Sequence, residues 1–158
     1  MTQPAKSIAV EQVVDEDDVG RVNDFFNLRP IKRDLHQFTY RDTLDRAFCR
    51  DDRRLFYIEK DATIMAALMV WCESRVLDDD EAQIRLVAVK PEHRGQGFGR
   101  ALCERAEQFA FEFGEQKMSA DVMAESQAVE FWQSLGYTIE EEWTTDNGRS
   151  MYRVSKPI

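Results

Sequence analysis

The sequence of 158 residues has few of the residue types on which several protein classes depend. Its three cysteines, Cys49, Cys72 and Cys103, are widely spaced and form no CxxC pair, so neither a disulfide framework nor a zinc site is indicated. We expect reduced thiols in a cytoplasmic protein. The only histidines are His36 and His93, and no cluster with metal-ligand spacing accompanies them, so no metal is expected.

Long apolar runs are absent and basic residues are scarce. The longest apolar run, residues 64–72, is far shorter than the roughly 20 residues that a membrane span requires. Residues 2–7 are polar and lack the apolar segment of a signal peptide. With 21 basic and 30 acidic residues the formal net charge is −9. Since nucleic-acid binders need a basic face, we expect neither a nucleic acid nor a membrane as partner.

The apolar content, by contrast, is sufficient for a core. Hydrophobic residues make up 43% of the chain and aromatic residues 11%, which excludes extensive disorder. There is no internal repeat, low-complexity tract or flexible linker. The sequence therefore predicts a single domain over residues 1–158, with residues 1–6 as a loose tail.

Hydrophobic periodicity and turn residues predict a mixture of strands and helices. The helix over 99–113 is expected to face inward with Leu102, Ala106, Phe109 and Phe113. Pro30 is expected to end a helical pattern, and residues 78–81 are expected to form a solvated acidic loop. The fold class is therefore α/β (α+β). The predicted strands are 8–14, 55–58, 63–72, 83–89, 117–123, 137–143 and 150–155, and the predicted helices are 15–26, 40–49, 99–113 and 126–135.

A glycine-rich turn joins the strand over 83–89 to the helix over 99–113. Gly95, Gly97 and Gly99 leave room for backbone N–H groups to face a ligand, and the helix adds unpaired N–H donors at its positive end. Such a turn suits a pyrophosphate. The spacing GxGxG is neither a Rossmann motif nor a P-loop. Basic residues cluster here in an otherwise acidic chain: Lys90, His93, Arg94, Arg100 and Arg105.

Two motifs carry a family resemblance. The sequence RGQGFG at 94–99 resembles the Q/R-x-x-G-x-G/A signature of the GNAT superfamily of acetyl-coenzyme A-dependent N-acetyltransferases, and residues 86–93 resemble the strand that precedes it. The sequence AVEFWQSLGY at 128–137 resembles the second motif, A-x-x-F/L-Y-x-x-x-G-F. The resemblance implies one domain with a mixed, mostly antiparallel sheet, splayed central strands and about four flanking helices.

The resemblance also implies acetyl-coenzyme A (acetyl-CoA) as cosubstrate, without a metal. The turn would bind the pyrophosphate, the backbone of Val87 and Val89 would pair with the pantetheine arm, and residues 25–48 would shape the acceptor site. The residues implied at the cofactor site are Leu86, Val87, Ala88, Val89, Arg94, Gly95, Gln96, Gly97, Phe98, Gly99, Arg100, Glu125, Ser126 and Trp132.

Acetyl transfer to an amine requires a base, an oxyanion donor and a proton donor for the leaving thiolate. The candidate bases are Glu73, Glu81 and Asp121. Trp132 stands where the family has a tyrosine, and an indole cannot deliver a proton at useful pH, so Trp132 is expected to wall the thioester pocket or to belong to the core. Tyr137 fills the family's core aromatic position. Tyr40, Tyr57 and Tyr152 cannot be placed from the sequence, and the alternative to a side-chain acid is that water protonates the thiolate.

The expected function is transfer of acetyl from acetyl-CoA to a primary amine of a small molecule or a protein by direct attack. The alternative is a non-catalytic acyl-CoA-binding sensor with the same fold, which the missing tyrosine favours. The acidic composition favours a cationic acceptor mildly, and solubility alone explains it equally well. The oligomeric state stays open, with a homodimer as one option.

Overall fold

The computed structural model describes residues 8–158, so the predicted tail of residues 1–6 lies outside the described part. In this described part, a seven-stranded sheet carries five α-helices. The strands are β1 (Glu11–Gln12), β2 (Arg53–Lys60), β3 (Thr63–Trp71), β4 (Glu81–Val89), β5 (Lys117–Met123), β6 (Thr138–Thr144) and β7 (Ser150–Pro157). The helices are α1 (Glu16–Phe26), α2 (Arg29–Leu35), α3 (Arg41–Cys49), α4 (Phe98–Phe113) and α5 (Ala128–Ser134).

The strands lie side by side in the order β1-β2-β3-β4-β5-β7-β6. All neighbouring pairs are antiparallel except the central pair β4–β5, which is parallel. Helix α4 supplies the crossover that a parallel pair requires. The predicted mixed, mostly antiparallel sheet is therefore confirmed.

The central strands diverge at half their length. The pairing of β4 with β5 runs only from Glu81 opposite Lys117 to Ile84 opposite Ala120. A bulge in β4 follows at once, because Val70 of β3 pairs with Ile84 whereas Met69 pairs with Leu86. Arg85 is the extra residue, and it turns the later side chains of β4 to the opposite face. The splay that the resemblance implied is thus present.

Each face of the sheet has its own core. Helices α1, α2 and α3 cover β2 to β4 on one face, where Phe26, Ile31 and Leu44 are fully buried. Helices α4 and α5 cover the other face, where Leu102 and Trp132 pack in the core cluster. Burial of apolar area on both faces, at about 25 cal/mol per Å², fixes the sheet between the two helical layers.

Three sequence predictions need correction. The sequence predicts that Pro30 ends a helical pattern, but Pro30 lies in the first turn of helix α2, where a missing N–H costs nothing. Glu81 is not part of the solvated loop, since it begins β4 and is 1% exposed. Phe113 does not complete the buried stripe of α4, since it is 38% exposed at the last helical position.

Other local predictions are confirmed. The Asp15 carboxylate accepts a hydrogen bond of 2.8 Å from the backbone N–H of Asp18, which caps α1. Gly114 ends α4 as expected. A fourth prediction was wrong: the strand predicted over 8–14 is reduced to Glu11–Gln12, which pair with β2, and the N–H of Val13 adds a hydrogen bond of 3.0 Å to the carbonyl of Leu55.

Candidate functional site

The divergence of β4 and β5 opens a cavity of about 930 Å³. Its walls are the second half of β4, the end of β5, the glycine-rich turn, the start of α5 and the end of α2. Of the residues implied at the cofactor site, those that line this cavity are Leu86, Val87, Ala88, Val89, Arg94, Gly95, Gly97, Phe98, Gly99, Arg100, Ser126 and Trp132. Gln96 and Glu125 lie outside the lining.

The glycine-rich turn presents a row of unused backbone donors. Within residues 8–158, the N–H groups of 95–100 donate to no backbone carbonyl, and the first bond of α4 is from Ala101 to Gly97, at 3.0 Å. These groups stand at the positive end of a 16-residue helix. Free donors and a helix dipole at one place form an anion site that suits a diphosphate.

Two glycines shape this turn for different reasons. Gly97 precedes α4 with φ of 87°, a left-handed conformation that other residues adopt only with strain. A Cβ on Gly99 would lie 3.0 Å from the ring of Phe131 on α5, which is tighter than most real Cβ contacts and would require the ring to shift. The two motifs of the sequence therefore meet here, because the ring of the second packs on the glycine of the first.

The open edge of β4 continues the row of donors. The backbone N–H of Lys90 donates to Met65 of β3 at 2.9 Å. Because successive backbone groups of a strand point to alternate sides, Ala88 and Leu86 also face β3, while Val87 and Val89 direct their N–H and C=O groups toward the gap. A linear amide-bearing ligand could pair with this edge as an added strand does.

The charged side chains of the turn have partners of their own. Arg94 forms an ion pair with Asp34 of α2, and both line the cavity. Arg100 lies 3.8 Å from Glu104 on the exposed side of α4. Arg105 lies over the ring of Phe56 and does not line the cavity. The basic residues that are close in sequence thus do not converge on one point of the cavity. The backbone N–H groups of 95–100 form the main anion-binding feature.

Of the three candidate bases, only Asp121 lines the cavity. Its carboxylate accepts hydrogen bonds from Arg153 at 2.9 and 3.4 Å, and this contact raises the pKa of Arg153. Glu73 is exposed in the loop after β3. Glu81 is buried beside the loop, where it accepts from the backbone N–H of Asp78 at 2.9 Å. The structure does not bring these carboxylates together.

No tyrosine lines the cavity in the described part of the chain. Tyr137 is buried in the core and donates to Glu107 at 2.9 Å, and its burial raises the pKa of the phenol far above its usual value. Trp132 is 4% exposed, forms an edge contact with Tyr137 at 4.9 Å and also lines the cavity. Trp132 is therefore both a pocket wall and a core residue.

Sequence reasoning missed several lining residues. Gln83 and Arg85 lie on β4 before Leu86, and Met151 reaches the cavity from β7. The unexpected helix α2 brings residues 34–37, including His36. The alternation of β4 could not have identified Arg85, because the bulge that redirects it is set by pairing with β3.

Two further features are absent from residues 8–158. No helix there is long and apolar enough to cross a membrane. No group of three or more His, Cys, Asp or Glu residues there is arranged to hold a metal ion.

Several solved structures share the fold. The ribosomal-protein-S18-alanine N-acetyltransferase from Escherichia coli has a TM-score of 0.72 at 18% identity, over 96% of this chain and 94% of that one. The spermidine N-acetyltransferase from Vibrio cholerae, solved with CoA and spermine, has a TM-score of 0.74 at 19% identity, over 95% of each chain. Such identities establish the fold alone.

Similarity at the level of sequence identifies the family, which similarity of fold alone does not. A Bacillus subtilis protein named "putative ribosomal protein bS18-alanine N-acetyltransferase" is 32% identical over 95 residues, which are 58% of this chain. The match spans about 60% of that relative's length. The model of the acetyltransferase (GNAT) family matches residues 22–137, which include the whole cavity-forming unit from β4 to α5. The chain therefore belongs to the GNAT family of acetyltransferases.

Proposed function

We propose that the protein is an N-acetyltransferase that transfers the acetyl group of acetyl-CoA to a primary amine by direct attack. One observation carries the proposal: the free N–H groups of 95–100 and the open edge of β4 are continuous within one cavity. The arrangement fits a ligand with a diphosphate at one end and an amide-bearing arm at the other. Acetyl-CoA has both parts and supplies an activated acetyl thioester.

The residues of this chain would then divide the work. The turn at 95–100 binds the diphosphate through backbone donors, and Val87 and Val89 orient the arm along β4. The N–H of Val87 faces the gap, so it is our candidate donor to the carbonyl oxygen of the thioester. Trp132 closes the pocket on the side of α5.

Proton transfer is expected to use water. The Asp121 carboxylate is occupied by Arg153, and the other two candidate bases lie away from the cavity. A base that acts through one water needs no direct contact with the amine. We therefore keep Asp121 as the candidate base that works through a water, and Glu73 and Glu81 stay weaker candidates. The leaving thiolate would take its proton from solvent.

The names of the relatives support an amine acceptor, since they include a ribosomal protein alanine and spermidine. The second candidate function is a non-catalytic acyl-CoA sensor. It is favoured by one observation, the lack of a lining tyrosine in the described residues. Both functions require the same cofactor site.

Two measurements test these functions in sequence. Thermal melting with and without acetyl-CoA tests the site, because a ligand at 100 times its Kd stabilises the folded state by about 2.7 kcal/mol. No shift at millimolar acetyl-CoA would refute both functions. Thiol release with a panel of primary amines and peptide N-termini then separates transfer from sensing. Binding without release from any amine would favour the sensor.

A further inference from the structure

Two arginines share one tryptophan ring beside the cavity. The guanidinium carbon of Arg53 lies 3.7 Å from the ring centroid of Trp71, and that of Arg85 lies 4.5 Å from it. The sheet register explains the cluster, because Arg53 is opposite Trp71 and Trp71 is opposite Gln83. Such cation–π contacts hold a guanidinium in place without using its hydrogen-bond donors.

Among residues 8–158, neither guanidinium has a carboxylate within hydrogen-bond distance. Arg85 donates to the amide oxygen of Gln83 at 2.5 Å and forms no ion pair there. Arg53 lies 3.9 Å from Asp52, but Asp52 already accepts two hydrogen bonds from Arg50, at 2.7 and 2.9 Å. In the described part of the chain, the Nε of Arg53 is buried and has no hydrogen-bond partner. Because acidic residues outnumber basic ones in this chain, two under-neutralised arginines at one place are unexpected.

The cluster of Arg53, Trp71 and Arg85 lies at the end of the proposed cofactor slot where the thioester would be. Arg85 lines the cavity and directly precedes Leu86 on β4. It is four residues from Val89, which is about 13 Å along a strand, so it lies at the end of the slot away from the glycine turn. Stacking on Trp71 places its side chain on the face of α1, α2 and α3, opposite the face covered by α4 and α5.

Other charges near Arg85 leave the local excess positive. Asp121 of β5 lines the same cavity, but Arg153 of β7 holds its carboxylate. In this region the four arginines Arg50, Arg53, Arg85 and Arg153 thus stand against two carboxylates, those of Asp52 and Asp121. The overall charge of −9 would attract a cationic acceptor, whereas this part of the cavity would repel one and attract an anion.

This inference rests on the transferase function proposed above. We propose that Arg85, held on Trp71 beside Arg53, binds a carboxylate of the acceptor, so that the substrate is a primary amine that also carries a carboxylate. The planar guanidinium matches a carboxylate with two parallel hydrogen bonds, and its free donors need only an anion within reach. Binding the carboxylate at Arg85 leaves the amine of the same molecule free to reach the thioester beside Val87.

The test compares acceptors that differ only in the charge at one group. A small pair is 4-aminobutyrate and its carboxamide, and a peptide pair is Ala-Glu and Ala-Gln with amidated C-termini. The two pairs distinguish a free amino acid from an acidic peptide as the source of the carboxylate. For whichever pair the enzyme accepts as substrates, we expect KM for the acceptor with the carboxylate to be about tenfold lower than KM for its carboxamide partner. A tenfold difference is the effect of one charge-assisted hydrogen bond.

Variants assign that preference to the site. Arg85→Gln should abolish the carboxylate preference and leave the thermal shift with acetyl-CoA unchanged, while Arg85→Lys should restore part of it because the charge returns. Lys60→Gln is the matched control, since it removes one exposed positive charge at the far end of β2. It should leave KM for both members of each pair unchanged.

The outcomes separate the two proposals. Two results would overturn the assignment of Arg85 and leave the proposed transferase function standing. In the first, acetyl-CoA raises the melting temperature but the enzyme shows no preference for carboxylate acceptors. In the second, that preference survives Arg85→Gln. If no amine releases thiol, binding of the same pairs is measured by calorimetry with CoA present. A carboxylate-dependent affinity that Arg85→Gln removes then supports the anion site while transfer fails, and equal affinities refute it.

Discussion

The sharpest prediction concerns a charge placed in the glycine-rich turn. Gly97→Glu puts a carboxylate among the N–H groups of 95–100, which are the proposed diphosphate donors. A carboxylate about 6 Å from a phosphate charge costs about 0.7 kcal/mol in water, so the two charges of a diphosphate cost about 1.4 kcal/mol. We expect the Kd for acetyl-CoA to rise at least tenfold. A drier site would increase the loss.

Backbone strain must be separated from charge. Gly97 has φ of 87°, so any side chain there destabilises the fold by about 1 to 2 kcal/mol. Gly97→Ala has the strain without the charge, and within residues 8–158 its Cβ comes close to Ile8 alone, at 3.4 Å. Gly148→Glu has both strain and charge at a distant turn, where φ is 83° and no atom of the described residues lies within 4 Å of a Cβ, the glycine's own chain neighbours apart. Neither control should reproduce the full loss of affinity.

The assay is calorimetric titration with acetyl-CoA at low and high salt, together with melting curves of the free proteins. Gly97→Glu should recover part of its affinity relative to Gly97→Ala in high salt, because ions screen exposed charges. If Gly97→Glu and Gly97→Ala bind acetyl-CoA equally well at low salt while both are folded, the diphosphate does not lie at this turn. The cofactor site proposed here would then be refuted.

Three further predictions concern single side chains. Trp132→Phe should keep substantial thiol-release activity while the melting temperature falls, because an indole is not the acid; total loss of turnover with intact acetyl-CoA affinity would contradict this. Tyr137→Phe, which removes the hydrogen bond to Glu107, should cost about 1 kcal/mol of unfolding free energy and leave the pH profile of activity unchanged. The hydrogen bonds from Arg50 lower the pKa of Asp52 in the folded state. The Arg50–Asp52 pair therefore stabilises the fold fully above the unfolded-state pKa of Asp52, about 4, and this stabilisation is lost as the pH falls through the lower folded-state pKa. Urea unfolding of Asp52→Asn at pH 7 and pH 3 should therefore show a smaller acid-dependent loss than the parent, and an equal loss would refute the assignment.

Much of the fold could be predicted from local pattern. Helix α4 has a long apolar stripe and a terminal glycine, and α1 has an aspartate cap, so both were placed within one or two residues. Helix α2 has seven residues, one buried side chain and a proline, which together look like a loop. Its helical state depends on packing against α1 and β4, which a local pattern does not contain.

The candidate site likewise has one part that the local sequence predicts and one part that it does not. The glycine turn could be found because its function depends on backbone conformation, which glycine encodes directly. The acceptor side could not, because Arg85 owes its position to a bulge, and Trp71 and Arg53 come from two other strands. Glu81 shows the opposite error: an acidic run suggested solvent, yet strand pairing buries its side chain.

The early end of the β4–β5 pairing has a consequence for handling the protein. Wherever a sheet stops pairing in its middle, it exposes two interior edges whose polar backbone groups can recruit a foreign strand, a recognised route to aggregation. A ligand bound between β4 and β5 would cover these backbone groups and prevent such pairing. Preparations kept with CoA should consequently stay monodisperse longer on warming than ligand-free ones, whatever the acceptor proves to be.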